Sequence, residues 1–343
     1  MRTSGWFAAD GPRESGLRSS LIRTGRSPVT PWVDSCFGGP VNVQANDEPI
    51  IRPQDRGDLE LVDYLFELYG YLILKEAVAP SDVAEMNAWA DEHQHLLADA
   101  DRPQQGHENS RWIGHVETHT YSGPDGINFQ NIVEAGPVFE RHIDHPTWTP
   151  HIRRFIDAEK NGLSLHETLL NIRGQGGYIG IHSGGHLSIP YMSFRHPNTG
   201  AWMVGQINVI TALTDIGPGD GATTIIRGSH KSALPHPKQA EKNLVYRSDE
   251  AAGVAMGMKE MYIDKGDVLM FTDAITHGSA QRTNPGFRRM VLYRYSPRWI
   301  RERFHYQPSE RLLANLTEAQ RTIVQPLSPR RPPPRGLCRA GAP

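Results

Sequence analysis

Two histidines at strand ends, and an arginine shortly after the second, are the residues of this chain best suited to chemistry. His182 closes the run Tyr178-Ile179-Gly180-Ile181 and stands before Ser183-Gly184-Gly185, while His277 lies in Ile275-Thr276-His277-Gly278, just past the run Val268–Phe271. A strand end lets a side chain face a cavity while its backbone stays rigid, so two such imidazoles from distant strands can hold a divalent transition metal. An oxygen-activating Fe(II) centre takes two His and one Asp or Glu and keeps positions open. The first His and the carboxylate normally come from one H-x-D/E segment, but here its third position is Gly184, which offers no ligand. Either the site is inactive or something else fills the gap. The fillers are a halide such as chloride, a water, or a carboxylate from elsewhere, with Asp273, Asp215 and Glu167 as donors. Two unrelated turn histidines are the competing reading, and with 16 His in the chain composition alone favours it.

The neighbouring residues carry the next layer of expectation. His186 would share a metal face with His182 only on a helix; Ser-Gly-Gly between them is poor helix material, so His186 reads as a wall of the substrate pocket. Arg288 begins an alternating strand to Ser296. Because alternate residues share a face, Arg288, Met290, Leu292 and Arg294 fall on one side, and Arg289, Val291, Tyr293 and Tyr295 on the other. An inward guanidinium beside a metal can grip a dicarboxylate co-substrate bidentately. Arg289 competes for that role, and a surface ion pair is the plainer alternative. In the run Trp202–Leu213, Met203, Ile207, Val209 and Leu213 are expected to pack, and Val204, Gln206, Asn208 and Ile210 put two amides on the opposite face. Buried amides need partners. A bound oxo-acid would supply them, whereas on an outer sheet Gln206 and Asn208 would simply face water.

The elements that must position these residues follow from periodicity. Leu59, Val62, Leu65 and Phe66 recur at helical spacing before Gly70, Tyr71–Leu74 reads as a strand, and Pro80-Ser81 opens a second helix with Ser81 as N-cap. A helix is predicted over 150–160. Beyond it come short β-rich runs: Leu169–Ile172, Tyr178–Ile181, Trp202–Leu213 as the longest, Thr223–Ile226, Met261–Ile263, Val268–Phe271 and Arg289–Tyr295, with turns at 217–221 and 265–267. Several short strands fed by N-terminal helices predict a mainly β protein, a jelly-roll barrel with flanking α-helices. Residues 1–55, rich in Gly, Pro, Ser and Arg, read as an irregular arm; 56–326 as the folded domain; 327–343, Pro- and Arg-rich, as a tail unable to pack.

Composition excludes more than it selects. With 343 residues, 38% of them hydrophobic, the chain can bury a sizeable core, and a net charge of −2 gives no reason to expect a nucleic-acid polymer or an anionic membrane surface as partner. No apolar run approaches a membrane span. The cysteines, Cys36 and Cys338, sit in irregular segments, which points to a cytoplasmic setting without a disulfide framework. A small-molecule substrate is expected, with no carrier-protein docking surface evident. Arg173, Arg195, His196, Arg227 and Lys231 are available to an anionic group, and Trp202, Tyr121, Trp112 and Phe129 to an aromatic base, with ordinary solvated charge and core packing as the alternatives.

Several of these segments resemble one family. His277-Gly278-Ser279-Ala280 followed by Asn284-Pro285-Gly286-Phe287-Arg288 is similar to the distal-histidine and co-substrate-arginine segment of the phytanoyl-CoA dioxygenase family. Gly70–Leu74 resembles the family's N-terminal opening, and Leu213–Asp215 through Gly219–Gly221 to Arg227-Gly228-Ser229-His230-Lys231 resembles its central strand-turn-strand; together they span about 58–326. The resemblance implies a double-stranded β-helix and an Fe(II)/2-oxoglutarate oxygenase using O2. His182 and His277 would be metal ligands, Arg288 would hold the distal carboxylate, Gln206 and Asn208 would serve the oxo-acid, His230 would be a structural turn residue and Asp220 a turn former. The departure is Gly184. Family members with Gly or Ala there are radical halogenases in which chloride takes the vacated position, and the chain also resembles nucleotide halogenases of chlorinated purine pathways, which implies a purine deoxynucleotide substrate. A hydroxylase with another third ligand, and a non-catalytic binding protein with a degenerate site, are the rival implications. A purely conformational reason for Gly184-Gly185 also stands.

Overall fold

Arg288–Ser296 is the strand around which the molecule is organised, because its two faces serve two different cores. The computed structural model describes residues 48–98, 110–121, 123–182, 193–195, 202–232, 234–241, 250–300 and 307–326. These fall within one unit that begins at Asp47. The strands are β1 (Ile50–Ile51), β2 (Tyr71–Leu74), β3 (Arg111–Ile113), β4 (Val116–His119), β5 (Ile127–Gln130), β6 (Ser164–Arg173), β7 (Ser193–Arg195), β8 (Trp202–Val204), β9 (Ile207–Ala212), β10 (Thr223–Ile225), β11 (Lys259–Met261), β12 (Val268–Thr272), β13 (His277–Ser279) and β14 (Arg288–Ser296). The main sheet runs β1-β2-β12-β9-β14-β6-β5-β4-β3, and a second sheet, β11-β10-β13, faces it. A β7–β8 ladder stands apart. The architecture is the expected one: a double-stranded β-helix of jelly-roll type, mainly β with flanking helices.

Alternation assigns each face. Leu72, Leu74, Leu170, Ile172, Val209, Val291, Tyr293 and Tyr295 point to one core. It lies under α1 (Leu59–Tyr69), α2 (Pro80–His93), α3 (Pro137–Glu140) and α4 (Thr149–Phe155), and is extended by two C-terminal helices, Glu310–Asn315 and Glu318–Val324. Tyr71, Ile73, Leu169, Ile210, Leu269, Phe271, Met290 and Leu292 point the other way and meet Ile225, Met261 and Ile263 of the second-sheet side, forming the barrel interior. The helical layer is pinned by polar tips as well as by packing. The Trp148 indole donates to the Tyr295 hydroxyl at 3.1 Å, which donates on to the Ile143 carbonyl at 2.9 Å, and Tyr293 donates to the Phe139 carbonyl at 2.7 Å. Both rings are thus buried with their hydroxyls satisfied.

The structure corrects several expected boundaries. The irregular arm stops short of residue 55, since Ile50–Ile51 pairs in parallel with Ile73–Leu74 and completes the sheet edge; residues 1–47 and the tail 327–343 lie outside the described residues. Trp202–Leu213 is not the longest strand: it is interrupted at Gly205-Gln206 into β8 and β9, and the ten-residue β6 exceeds both. Ser81 lies inside α2, because Pro80 takes the first helical position and Ala79 becomes the cap. The helix predicted at 150–160 breaks at Asp157, whose positive φ of 51° separates α4 from α5 (Ala158–Asn161). Tyr178–Ile181 forms no regular strand, although Ile179 accepts from the Ser279 amide at 2.9 Å and His182 bridges to His277.

Candidate active site

That bridge creates the site. His182 and His277 are directly opposite, exchanging both backbone hydrogen bonds at 2.8 Å. Residues so paired in an antiparallel arrangement put their side chains on one face, and the two imidazole centroids lie 4.1 Å apart. Each ring is also oriented from behind. His182 Nδ1 meets the Gly180 carbonyl at 2.9 Å and His277 Nδ1 meets the Ile275 carbonyl at 2.7 Å. A carbonyl can only accept, so each Nδ1 carries the proton and each Nε2 carries the lone pair a metal needs. Among the described residues no group of three His, Cys, Asp or Glu side chains could hold a metal. The pair is therefore seen without a third protein ligand, and Gly184 lies outside the described residues.

The close approach of β13 to the 179–182 segment depends on Gly278. A Cβ there would meet the Ala252 Cβ at 2.4 Å and the Gly180 carbonyl oxygen at 2.8 Å. Gly278→Ala should therefore push β13 away from the 179–182 segment, destabilising the fold by about 1–3 kcal/mol and spreading the histidine pair. Thermal denaturation and Fe(II) titration check this; an unchanged melting temperature with unchanged metal affinity would contradict it.

His182 and His277 open onto a cavity of about 510 Å³, including its mouth, inside the barrel. Arg288 and Asn208 line the same space, as do Asp125, Asn128, Asn171 and Arg294. Arg288 is buried; it donates to the Gly221 carbonyl and, at 3.1 Å, to Asn171 Oδ1, while its Nε has no partner. Burial first, and then the neighbouring Arg173 guanidinium, disfavour its charged form and pull its pKa well below the ordinary arginine value. Guanidinium does not deprotonate in proteins, so this position favours an incoming anion. Arg289, the competitor, points out of the barrel to Asn87, Asp91 and Gln94.

Other expectations separate cleanly. Arg173 is no substrate contact: it is fully buried, with its guanidinium committed to Asp125 at 3.0 Å and to Ser279 Oγ at 2.6 Å. Gln206 accepts from His166 Nε2 at 2.9 Å and donates to Asn208 Oδ1 at 3.4 Å, and of the two amides it is Asn208 that lines the cavity. Trp202 packs on Phe66 and His230, with the Lys231 ammonium over its ring, away from the cavity. Arg227 is tied to Glu48 and Tyr71. Phe129 is core and Trp112 exposed, whereas Tyr121 lines the cavity. His186 and His196 lie outside the described residues, and for Arg195 only the backbone, paired with Trp202, is described. His230 and Asp220 have the expected structural roles: His230 reaches the Glu67 carbonyl beneath Gly70, and Asp220 accepts from the Gly217 amide at 3.0 Å. The rival carboxylates are engaged elsewhere. Glu167 pairs with Arg294 and Tyr121, Asp273 accepts from Asn208, and Asp215 accepts from Lys265 in an outer turn.

Sequence reasoning missed Asp125, Asn128 and Asn171. Asn171 left a signal, a lone amide in the apolar run Leu169–Ile172. Asp125 left none, because Gly-Pro-Asp-Gly reads as an ordinary turn.

The chain is a double-stranded β-helix whose barrel holds an inward histidine pair and a buried arginine that makes no ion pair among the described residues. The model of the phytanoyl-CoA dioxygenase (PhyH) family matches residues 66–290, and the chain belongs to this family. A probable phytanoyl-CoA dioxygenase of Caenorhabditis elegans is 21% identical over 238 residues, 67% of this chain and 73% of that protein. The peroxisomal phytanoyl-CoA dioxygenase of Homo sapiens is 25% identical over 150 residues, 41% and 42% of the two chains. Among solved structures, HygX from Streptomyces hygroscopicus with nickel and 2-oxoglutarate bound superposes with a TM-score of 0.52 at 18% identity, covering 70% of this chain and 87% of that one. At this identity the likeness concerns the fold.

Proposed function

We propose that the chain is an Fe(II)/2-oxoglutarate-dependent radical halogenase that uses O2 and chloride to chlorinate an unactivated C–H bond of a small polar metabolite. The observation that carries the oxygenase part is the meeting, in one cavity, of His182, His277 and a buried Arg288 with an unpartnered Nε. Family membership supports it, and HygX is known with iron and with 2-oxoglutarate bound. The donor set fits: two imidazoles for iron, and for a carboxylate the buried Arg288 guanidinium, which makes no ion pair among the described residues. Bound there, the metal and oxo-acid supply with O2 the oxidising power to remove a hydrogen atom from carbon. The protein's own residues do the rest. Carbonyls of Gly180 and Ile275 hold the tautomers, Arg288 and Asn171 fix the dicarboxylate, and Ile210, Phe271, Met290 and Leu292 exclude water.

The halide part rests on the sequence alone: the position two residues after His182 carries Gly184, which has no carboxylate to offer a metal. A purine deoxynucleotide in natural-product biosynthesis is the proposed substrate; the solved HygX structures include one with hygromycin B bound, which supports a small-molecule substrate. The experiment is anaerobic titration with Fe(II) and 2-oxoglutarate, followed by mass spectrometry of products formed with chloride or bromide. A metal-to-ligand charge-transfer band with halogenated product is expected. Hydroxylated product alone assigns a family hydroxylase, and absence of the band assigns a non-catalytic binder. His182→Ala or His277→Ala should each abolish turnover and the band; full activity in either rejects that residue as a ligand.

A further inference from the structure

We infer that Arg294, charge-compensated by Glu167, is the substrate-recognition residue of the cavity, reading an uncharged acceptor such as a hydroxyl, carbonyl or ring nitrogen. This deepens the reading above and rests on it for the identity of the site. The register places the residue. Phe271 pairs with Asn208, Asn208 with Arg294, and Arg294 with Glu167, so these four form one row across β12, β9, β14 and β6, on the barrel-facing side. The Phe271 ring lies 4.9 Å from the His277 ring, which sets the row beside the histidine pair. Arg288 sits at the opposite end of β14, about 20 Å away along the backbone at roughly 3.4 Å per residue. Between them the floor is apolar, formed by Leu169, Ile210, Met290 and Leu292.

The two arginines differ in charge environment, and that difference assigns their ligands. Arg288 makes no ion pair among the described residues, so an anionic carboxylate is its natural complement. Arg294 bonds through Nε to Asn208 Oδ1 at 3.0 Å and through Nη1 to the fully buried Glu167 carboxylate, whose other oxygen accepts from Tyr121. Its charge is already neutralised. Its Nη2 has no acceptor among the described residues, and the residue lines the cavity. What it offers is a directed N–H rather than a net positive charge. A buried ion pair is a weak source of stability compared with apolar packing, so its place in a largely apolar wall is better explained by recognition.

Two titrations test this without requiring turnover. Succinate, titrated calorimetrically into metal-free protein, should find one more binding site per chain in Glu167→Gln than in wild type, because the uncovered guanidinium becomes an anion site. The extra site should vanish in the double variant Glu167→Gln/Arg294→Met. Equal stoichiometry in wild type and Glu167→Gln would overturn the inference. In Arg294→Met, the affinity for 2-oxoglutarate with Fe(II) should stay within about twofold of wild type, while that for 2′-deoxyadenosine 5′-monophosphate falls about tenfold, the weight of one hydrogen bond to a charged group. Loss of 2-oxoglutarate affinity would instead assign Arg294 to the co-substrate, and unchanged affinity for both would make the pair structural. Failure of wild type to bind 2-oxoglutarate at all would sink the oxygenase reading, while the succinate comparison would still decide the role of Arg294.

Discussion

Replacing Gly184 with Asp should eliminate chlorinated product, lowering its yield by about 10²-fold or more, and leave hydroxylation as the remaining outcome. The substitution restores H-x-D after His182, and a carboxylate beside the metal takes the position and the charge that chloride requires. Product choice in radical chemistry depends on which group lies close to the substrate carbon, and displacement of a reacting atom by about 1 Å can cost 10²-fold. Mass spectrometry in chloride, and separately in bromide, reads the result. Chlorinated product persisting at the wild-type level would show that no anion position was created by the glycine.

Arg288→Met should weaken 2-oxoglutarate binding by about 10²–10³-fold. A bidentate charge-assisted contact is worth about 3–4 kcal/mol when both hydrogen bonds go to a charged group, and each 1.4 kcal/mol is roughly tenfold. The variant also leaves Asn171 Oδ1 and the Gly221 carbonyl without the guanidinium they now accept from, so some loss of stability is expected as well. Arg288→Lys separates the two effects. It keeps the charge but not the planar fork, and should recover part of the affinity without restoring it. Calorimetry under anaerobic conditions gives the dissociation constants; wild-type affinity in Arg288→Met would remove this residue from the site.

The faces of β14 were readable in advance because strand periodicity is local. Arg288, Met290, Leu292 and Arg294 do line the cavity, and Val291, Tyr293 and Tyr295 do pack under the helices. Arg289 could be set apart from Arg288 by the same alternation. Arg173 could not be read in that way: its alternation puts it in line with Asn171, but its partner Asp125 comes from a distant loop, and only the fold reveals that the guanidinium is already spoken for. Gln206 and Asn208 show the same limit. Both amides are buried, yet Asn208 lines the cavity whereas Gln206 meets His166 and Asn208.

By itself the sequence determined which residue types stand where chemistry is conceivable: His182, His277 and Arg288, with Gly184 two residues after the first histidine. It also determined the β periodicity that turns those side chains inward, since alternation and turn chemistry are properties of a few consecutive residues. Only the tertiary structure decided that the two imidazoles sit opposite one another, that among the described residues Arg294 makes an ion pair and Arg288 makes none, and that Arg173 belongs to the framework. Those facts are long-range pairings, and charge compensation inside a barrel depends on what each neighbouring strand brings to the same row.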